Sequence, residues 1–139
     1  IELVPEISWH NNLRSLLPKS AWETLRKKVL ADYGNICGIC GAVGSLHCHE
    51  VWEYDDAKQV QMLIGCIALC PLCHAVKHLG FTEMRSGDAR VEQIIAHFMR
   101  VNGCDRKTFE AHRRDAFKEW EERSTHTWQV AIGDRIITI

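Results

Sequence analysis

Two short stretches decide the fold: residues 37–50, CGICGAVGSLHCHE, and residues 69–78, LCPLCHAVKH. Each contains a Cys-x-x-Cys pair, Cys37 with Cys40 and Cys70 with Cys73. Zinc prefers four ligands in a tetrahedron, and thiolates at this spacing supply two of them from one turn. The two pairs therefore predict a structural zinc site, which we call the zinc knuckle. A redox dithiol or free buried cysteines are the alternatives.

Four histidines lie between the two cysteine pairs or just after the second pair. Residues two apart in a strand point to the same side, so His47 and His49 share a face and Cys48 points away. Residues four apart on a helix share a face, so His74 and His78 can point together. If that helix packs on that strand, the four imidazoles converge. We interpret them as a second metal site, with ordinary core or surface histidines as the alternative.

The segments between the cysteine pairs have the pattern of a β-hairpin. Residues 45–54 and 59–69 are rich in β-formers, and residues 55–58 between them predict a turn. Pro71 favours the first turn of a short helix that runs to about Leu79 and ends at Gly80.

The flanking segments predict helices and a second hairpin. Ser20 and Glu23 form the pattern of a capping box at the start of one helix. Apolar periodicity indicates two further helices, from about Asp88 to Asn102 and over about 105–122. Residues 127–139 predict two strands around a turn at Gly133 and Asp134.

The pattern as a whole indicates an α+β fold in a single domain of 139 residues. We divide it into an N-terminal arm (1–19), a zinc-knuckle core (34–80) and a helical and β-hairpin extension (81–139). One helix precedes the core, and two helices and the C-terminal hairpin follow it. Trp120 and Trp128 are expected in the hydrophobic core, and His97 and His112 are expected to be surface or capping groups and not ligands. Because the chain does not begin with Met, we interpret it as trimmed or partial.

Composition bounds the function and the compartment. The net charge of −1 argues against a strongly basic nucleic-acid binder. A local group of basic residues is either a nucleic-acid contact or a solvated helix face; it consists of Arg106, Lys107, Arg113 and Arg114. Seven cysteines, an odd number with four in paired motifs, favour metal binding in a reducing compartment. We therefore predict a cytoplasmic protein without membrane association.

The motifs over residues 34–80 resemble those of zinc-containing HNH (ββα-metal) endonucleases. The resemblance rests on Cys37-x-x-Cys40, the run from Leu46 to Glu50, the run from Leu69 to His74, and Lys77-His78. It implies a β-hairpin and helix that hold one divalent cation, Mg²⁺, Mn²⁺, Ni²⁺ or Zn²⁺, for phosphodiester hydrolysis.

By position, the resemblance implies roles for individual residues. His49 would be the general base that activates water, and His74 a ligand of the catalytic cation. His47 would replace the usual acidic or histidine ligand, and His78 would be a further ligand. The sequence departs from the family pattern at two positions: Cys48 stands where an Asp or His precedes the base, and Gly65 where an Asn orients it.

Two functions follow from these features. The first is a metal-dependent endonuclease acting on DNA, with Lys77 and the four basic residues of the 106–114 region as candidate contacts. The second is an inactive or weakly active zinc module of the same fold that binds nucleic acid, DNA or RNA, or a protein. The low net charge favours the second function, whereas four histidines beyond the four thiolates favour the first.

Overall fold

The computed structural model describes the backbone of residues 1–133 and 135–138 and the side chains of residues 1–6 and 8–133. Within these residues the chain is an α+β protein. Its helices are α1 (Leu13–Leu16), α2 (Lys19–Asp32), α3 (Pro71–Lys77), α4 (Leu79–Arg85), α5 (Asp88–Asn102) and α6 (Arg106–Ser124). Its strands are β1 (His47–Asp55), β2 (Val60–Leu69), β3 (Gln129–Ile132) and β4 (Arg135–Thr138).

Strands β1 and β2 form the predicted antiparallel hairpin, from the pair His47 and Leu69 to the pair Asp55 and Val60. The Asp55 carboxylate accepts a hydrogen bond from the Lys58 backbone N–H at 2.9 Å, which stabilises the connecting turn. The register shifts between Val51 and Trp52, opposite residues 63–65 of β2. One extra residue in β2 therefore forms a bulge at this point.

The C-terminal strands extend the same sheet, in the order β1-β2-β3-β4. β3 and β4 pair antiparallel as predicted, but β3 also pairs parallel with β2. Periodicity gave no indication of this parallel pairing, because the two strands are separated by four helices. Of the predicted Gly133–Asp134 turn, Asp134 lies outside the described residues.

The helix boundaries differ from the predicted ones at several points. α2 begins after Pro18 with no side-chain cap, so the capping box predicted at Ser20 is wrong, and a capping box forms instead between Asn12 and Ser15. Pro18 already has a φ of −53°, which suits a helix start and leaves Ser20 inside the first turn.

The helix after the second cysteine pair also ends differently from the prediction. α3 ends at Lys77 and α4 follows directly, so Gly80 lies inside a helix and does not terminate one. A Cβ at Gly80 would lie 3.4 Å from Leu3 and 3.5 Å from the Phe117 ring. These are ordinary van der Waals distances, so packing does not require a glycine at this position. The core is preceded by two helices and followed by three, one more on each side than expected.

The two later helices follow the sequence more closely. α5 has the predicted bounds and ends at Gly103, whose φ of 59° is left-handed. Its N-cap is Gly87, the residue before Asp88. α6 begins after Asp105, which accepts a hydrogen bond from the Thr108 N–H, and it runs two residues beyond the expected end.

The hydrophobic core has two clusters joined by the half-buried Leu72. One cluster surrounds the four cysteines, and the other lies among α3, α4, α5 and α6 around Leu79, Ile94 and Phe109. Trp128 is 1% exposed and confirms the expectation for that residue, whereas Trp120 is half-buried. No helix in the part of the chain described above is both long and apolar enough to span a bilayer.

The N-terminal arm packs against α3 and α6. The Glu2 backbone N–H donates to the Lys77 carbonyl at 3.0 Å. The Val4 carbonyl accepts hydrogen bonds from the indoles of Trp9 and Trp120. The arm therefore reaches the C-terminal end of α3, where the predicted histidine site begins.

Candidate metal centres

The four cysteines of the zinc knuckle lie together. Their Sγ atoms are all within 4.8 Å of one another, and those of Cys40 and Cys70 are 3.6 Å apart. Zinc–sulfur bonds of about 2.3 Å in a tetrahedron place sulfur atoms roughly 3.8 Å apart. The donor set and its spacing fit a structural metal ion such as zinc.

Local backbone geometry directs each cysteine pair. Cys37 and Cys40 lie in a turn closed by hydrogen bonds from the Cys37 N–H to the Ala42 carbonyl and from the Gly41 N–H to the Cys37 carbonyl, both 2.9 Å. The Gly38 N–H donates to the Ala68 carbonyl at 2.8 Å and attaches this turn to β2. Cys70 is the N-cap of α3, and its Sγ accepts from the Cys73 N–H at 3.4 Å.

Backbone donors favour thiolate at one of the four positions. Burial alone would raise the pKa of Cys37, but the N–H groups of Cys40, Cys70 and Ile39 lower it to about 6. Burial raises the pKa of Cys73, and the neighbouring thiols raise it further. Thiols this close together resist losing all their protons. A cation neutralises the thiolates together and therefore stabilises the deprotonated cluster.

A residue that the sequence analysis placed at the surface touches this site. His97 of α5 is 4% exposed, and its Nε2 lies 3.1 Å from the Cys73 Sγ. The surface prediction for His97 is wrong. This histidine follows Ile94 by three residues and precedes Val101 by four, so it shares their face of α5. The apolar period of α5 thus already placed it on the buried face. His112 is exposed, as expected.

Three of the four predicted histidines form a second cluster, which we call the histidine trio: His49, His74 and His78. One ring nitrogen from each lies within 4.8 Å of those of the other two. His49 comes from β1, His74 lies in α3, and His78 is the C-cap residue of α3. The ring centroids are 4.7 to 5.4 Å apart in edge-to-face contacts. The predicted packing of this helix on this strand is therefore present.

The fourth histidine, His47, lies at the rim of the trio. Its ring stacks on His74 with centroids 4.7 Å apart and planes 8° from parallel, and it is exposed to solvent. Its ring nitrogens are not among those that converge in the trio. The side chain of His49, in contrast, is 7% exposed. The two β1 histidines share a face, but only one of them is open to water.

Burial keeps the α3 histidines neutral. Desolvation, with the neighbouring imidazoles, lowers the pKa of His74 to about 3 and that of His78 to about 4. A neutral imidazole keeps a lone pair on one ring nitrogen, and this is the form that binds a metal ion. Buried and neutral histidines with converging nitrogens are thus suited to a divalent cation.

Glu2 is a member of this site that the sequence analysis missed. Its Oε2 lies 3.0 Å from His49 Nε2, and its Oε1 accepts from Lys77 Nζ at 2.9 Å. Burial would raise the pKa of Glu2, but the hydrogen bonds from His49 and Lys77 outweigh it and lower the pKa to about 2. Nothing in the sequence pointed to Glu2, because 46 residues separate it from His49 and no motif includes it.

Most of the candidate nucleic-acid contacts pair with acidic side chains. Arg113 forms two hydrogen bonds with Glu83, at 2.8 and 2.7 Å, and Arg106 pairs with Glu92. Lys77 pairs with Glu2. Lys107 is exposed and has no acidic partner among the described side chains, and Arg114 contacts only Asp115, at 3.8 Å.

The two positions that depart from the family pattern take no part in the trio. Cys48 points to the other face of β1, where its thiol interacts with that of Cys66. Gly65 pairs with Val51 at the bulge, and a Cβ there would meet no atom within 4 Å. Glu50, next to His49, accepts the Leu13 N–H at 2.6 Å and holds α1 against the hairpin.

Comparison of the chain with protein-family models, with curated proteins and with solved structures gives no significant match to any of them.

Proposed function

We propose that the protein is a metal-dependent endonuclease of the HNH type, with a catalytic divalent cation held by the histidine trio. The observation that carries this proposal is the convergence of three imidazoles, one buried and two half-buried, from one strand and from one helix with its C-cap. The helix that supplies two of them also supplies two cysteines of the zinc knuckle. A structural zinc ion would thus hold the hairpin and helix that form the histidine site.

The geometry favours roles for the individual histidines that differ from those implied by the family resemblance. His49 is buried and its Nε2 is engaged by Glu2, which suits a ligand better than a base. His47 is exposed and lies against His74, where a water molecule and a phosphodiester have access to it. We therefore assign His49, His74 and His78 as ligands and His47 as the general base.

The proposed reaction is hydrolysis of a phosphodiester bond. A bound divalent cation supplies positive charge that stabilises the negative charge developing on the phosphate. The oxygen of a water molecule attacks phosphorus, and its proton passes to His47. The P–O ester bond to the leaving oxygen breaks, and that oxygen takes a proton from solvent. The products are a phosphate monoester and a free hydroxyl.

The test is cleavage of supercoiled plasmid with Mg²⁺, Mn²⁺, Ni²⁺ or Zn²⁺, with single-stranded RNA as a second substrate. We expect nicking by the wild type and none by His74→Ala, which loses a ligand. His47→Ala should still bind the cation but cut about 10²–10⁴-fold more slowly. His126→Ala, an exposed histidine outside both sites, is the matched control.

The same experiment separates the two assignments of the base. If His49→Ala retains the cation and loses cleavage while His47→Ala still cuts, His49 is the base and the geometric assignment is wrong. Undiminished cleavage by His74→Ala would contradict the site itself.

The second candidate function is a zinc module that binds nucleic acid or a protein without cutting. The observation that favours it is the pairing of Arg106, Arg113 and Lys77 with carboxylates, which leaves few cations for gripping a phosphate backbone. No cleavage with any of the metals, together with one zinc ion per chain, would support this function.

A further inference from the structure

We propose that Glu2 is a positioning residue for His49, which fixes the imidazole so that its Nδ1 lone pair is the one available to a metal ion. This proposal rests on the proposed function only in taking the histidine trio as a metal site. It assigns a role to the N-terminal arm, which lies outside the motifs that frame the trio.

The two partners of the Glu2 carboxylate determine the direction of its hydrogen bonds. Lys77 Nζ can only donate, and it lies 2.9 Å from Glu2 Oε1. An ammonium group at this distance favours the ionised carboxylate, which can only accept. His49 Nε2, 3.0 Å from the other oxygen, must then carry a proton and donate it. In a neutral imidazole this leaves the lone pair on Nδ1.

Glu2 and His49 are each held by more than one contact. The Glu2 backbone N–H donates to the Lys77 carbonyl at 3.0 Å, so the residue is held by main chain as well as by side chain. His49 itself is buried and packs edge-to-face against His74 and His78. A carboxylate that orients a ligating histidine in this way increases its basicity and fixes its ring. The carboxylate and the two α3 histidines thus act on His49 from different sides.

The Glu2 carboxylate should increase the affinity of the histidine trio for a metal ion. Removing such a carboxylate from other metal sites typically weakens metal binding 10- to 100-fold. We expect Glu2→Ala, with the zinc knuckle loaded, to bind Ni²⁺ at the trio at least about 10-fold more weakly than the wild type. Glu2→Gln should lie between the two, because an amide oxygen still accepts from Nε2–H but carries no charge.

The test combines a metal titration with a readout that needs no metal at the trio. Calorimetry with Ni²⁺ gives the affinity, and long-range ¹H–¹⁵N spectra of histidine-labelled protein give the tautomer of His49. The wild type should show the Nε2–H form, and Glu2→Ala a mixture of both forms. Glu6→Ala, which removes another carboxylate of the arm, should keep the wild-type tautomer.

The outcomes separate this proposal from the endonuclease. Wild-type tautomer and Ni²⁺ affinity in Glu2→Ala would overturn the role of Glu2, whether or not the protein cuts. A lost tautomer preference with weakened Ni²⁺ binding would support it, even if no substrate is cleaved. Absence of any Ni²⁺ site at the trio in the wild type would overturn both. If Glu2→Ala does not fold, Glu2→Gln replaces it with Ni²⁺ affinity as the criterion: an affinity equal to that of the wild type would overturn the role of Glu2, and a weaker one would support it.

Discussion

His97 shows how one neighbour decides the chemistry of a single side chain. Arg100 Nη2 lies 2.8 Å from His97 Nδ1, and a guanidinium can only donate. His97 Nδ1 is therefore the acceptor, and the proton of the neutral ring lies on Nε2, which faces the Cys73 Sγ at 3.1 Å. Four thiolates exceed the charge of one Zn²⁺ by two, so an N–H donor to one of them stabilises the loaded site.

Replacement of His97 should therefore loosen zinc without removing a ligand. For His97→Phe we expect release of zinc to a chelator about 10-fold faster than in the wild type. A chromogenic chelator measures the rate, and His126→Phe, an exposed site, serves as control. Equal release rates for both variants would show that the contact with Cys73 does not stabilise the loaded site.

Gly38 and Gly65 are a matched pair of glycines with opposite surroundings. A Cβ at Gly38 would lie 2.5 Å from the Tyr33 ring and 2.9 Å from Ile67, whereas one at Gly65 meets nothing within 4 Å. Gly38→Ala should lower the free energy of unfolding by about 1–3 kcal/mol through overpacking. Gly65→Ala should change it by less than about 0.5 kcal/mol. Denaturant titration of the two variants measures the difference, and a similar loss in both would contradict the packing argument.

At the scale of secondary-structure elements, α3 joins the two candidate metal centres. It has seven residues, too few to be stable alone, and carries Cys70 at its N-cap, Cys73 and His74 inside it and His78 at its C-cap. The zinc knuckle holds its N-terminus and Glu2 holds its C-terminal Lys77. The order of the histidine trio should therefore depend on a loaded zinc knuckle.

Loss of one knuckle ligand should disturb both centres. We expect Cys73→Ser to lose zinc, to unfold the β1–β2 hairpin with α3, and to abolish Ni²⁺ binding at the trio, because metal binding contributes folding free energy here. Metal analysis and circular dichroism give the zinc content and the melting. Cys104→Ser, a half-buried cysteine outside the cluster, should retain both properties. Full zinc content in Cys73→Ser would make the knuckle assignment wrong.

At the scale of the whole molecule, ion pairs between elements engage several of the basic side chains. Arg113 joins α6 to α4 through Glu83, and Arg123 joins α6 to the β1–β2 turn through Asp56. Arg123 also lies 4.2 Å over the Tyr54 ring. These arginines hold elements together. The cations left for a polyanion are those without such partners, with Lys107 and Arg114 among them.

This distribution predicts which basic residues contribute to DNA binding. If Lys107 and Arg114 contact phosphates, the double change to Ala should reduce the slope of log K against log salt by about two. Lys19→Ala with Lys27→Ala, two exposed lysines of α2, is the control. Fluorescence anisotropy with labelled duplex DNA measures the slopes. An unchanged slope in the Lys107 and Arg114 variant would place DNA contacts elsewhere.

Local rules explain why much of the fold was predictable. The cysteine spacing, the alternation of His47 and His49 in a strand and the four-residue step from His74 to His78 each depend on neighbours close in sequence. They predicted the hairpin, α5 and α6 to within two residues, and they predicted the cysteine cluster and three of the four histidines expected to converge. Local rules also misplaced the start of α2, which follows Pro18, and the end of α3, which lies at Lys77 and not near Gly80.

The primary structure therefore specifies the candidate ligands, because their spacing is a property of single turns and strands. Tertiary structure alone decides their surroundings: the carboxylate of Glu2 against His49, the imidazole of His97 against Cys73, and the parallel pairing of β3 with β2. It also leaves His47 open to water while it buries His49, although the two share a face of one strand. The physical reason is that burial and hydrogen-bond partners are set by chain segments distant in sequence, and local periodicity does not identify those segments.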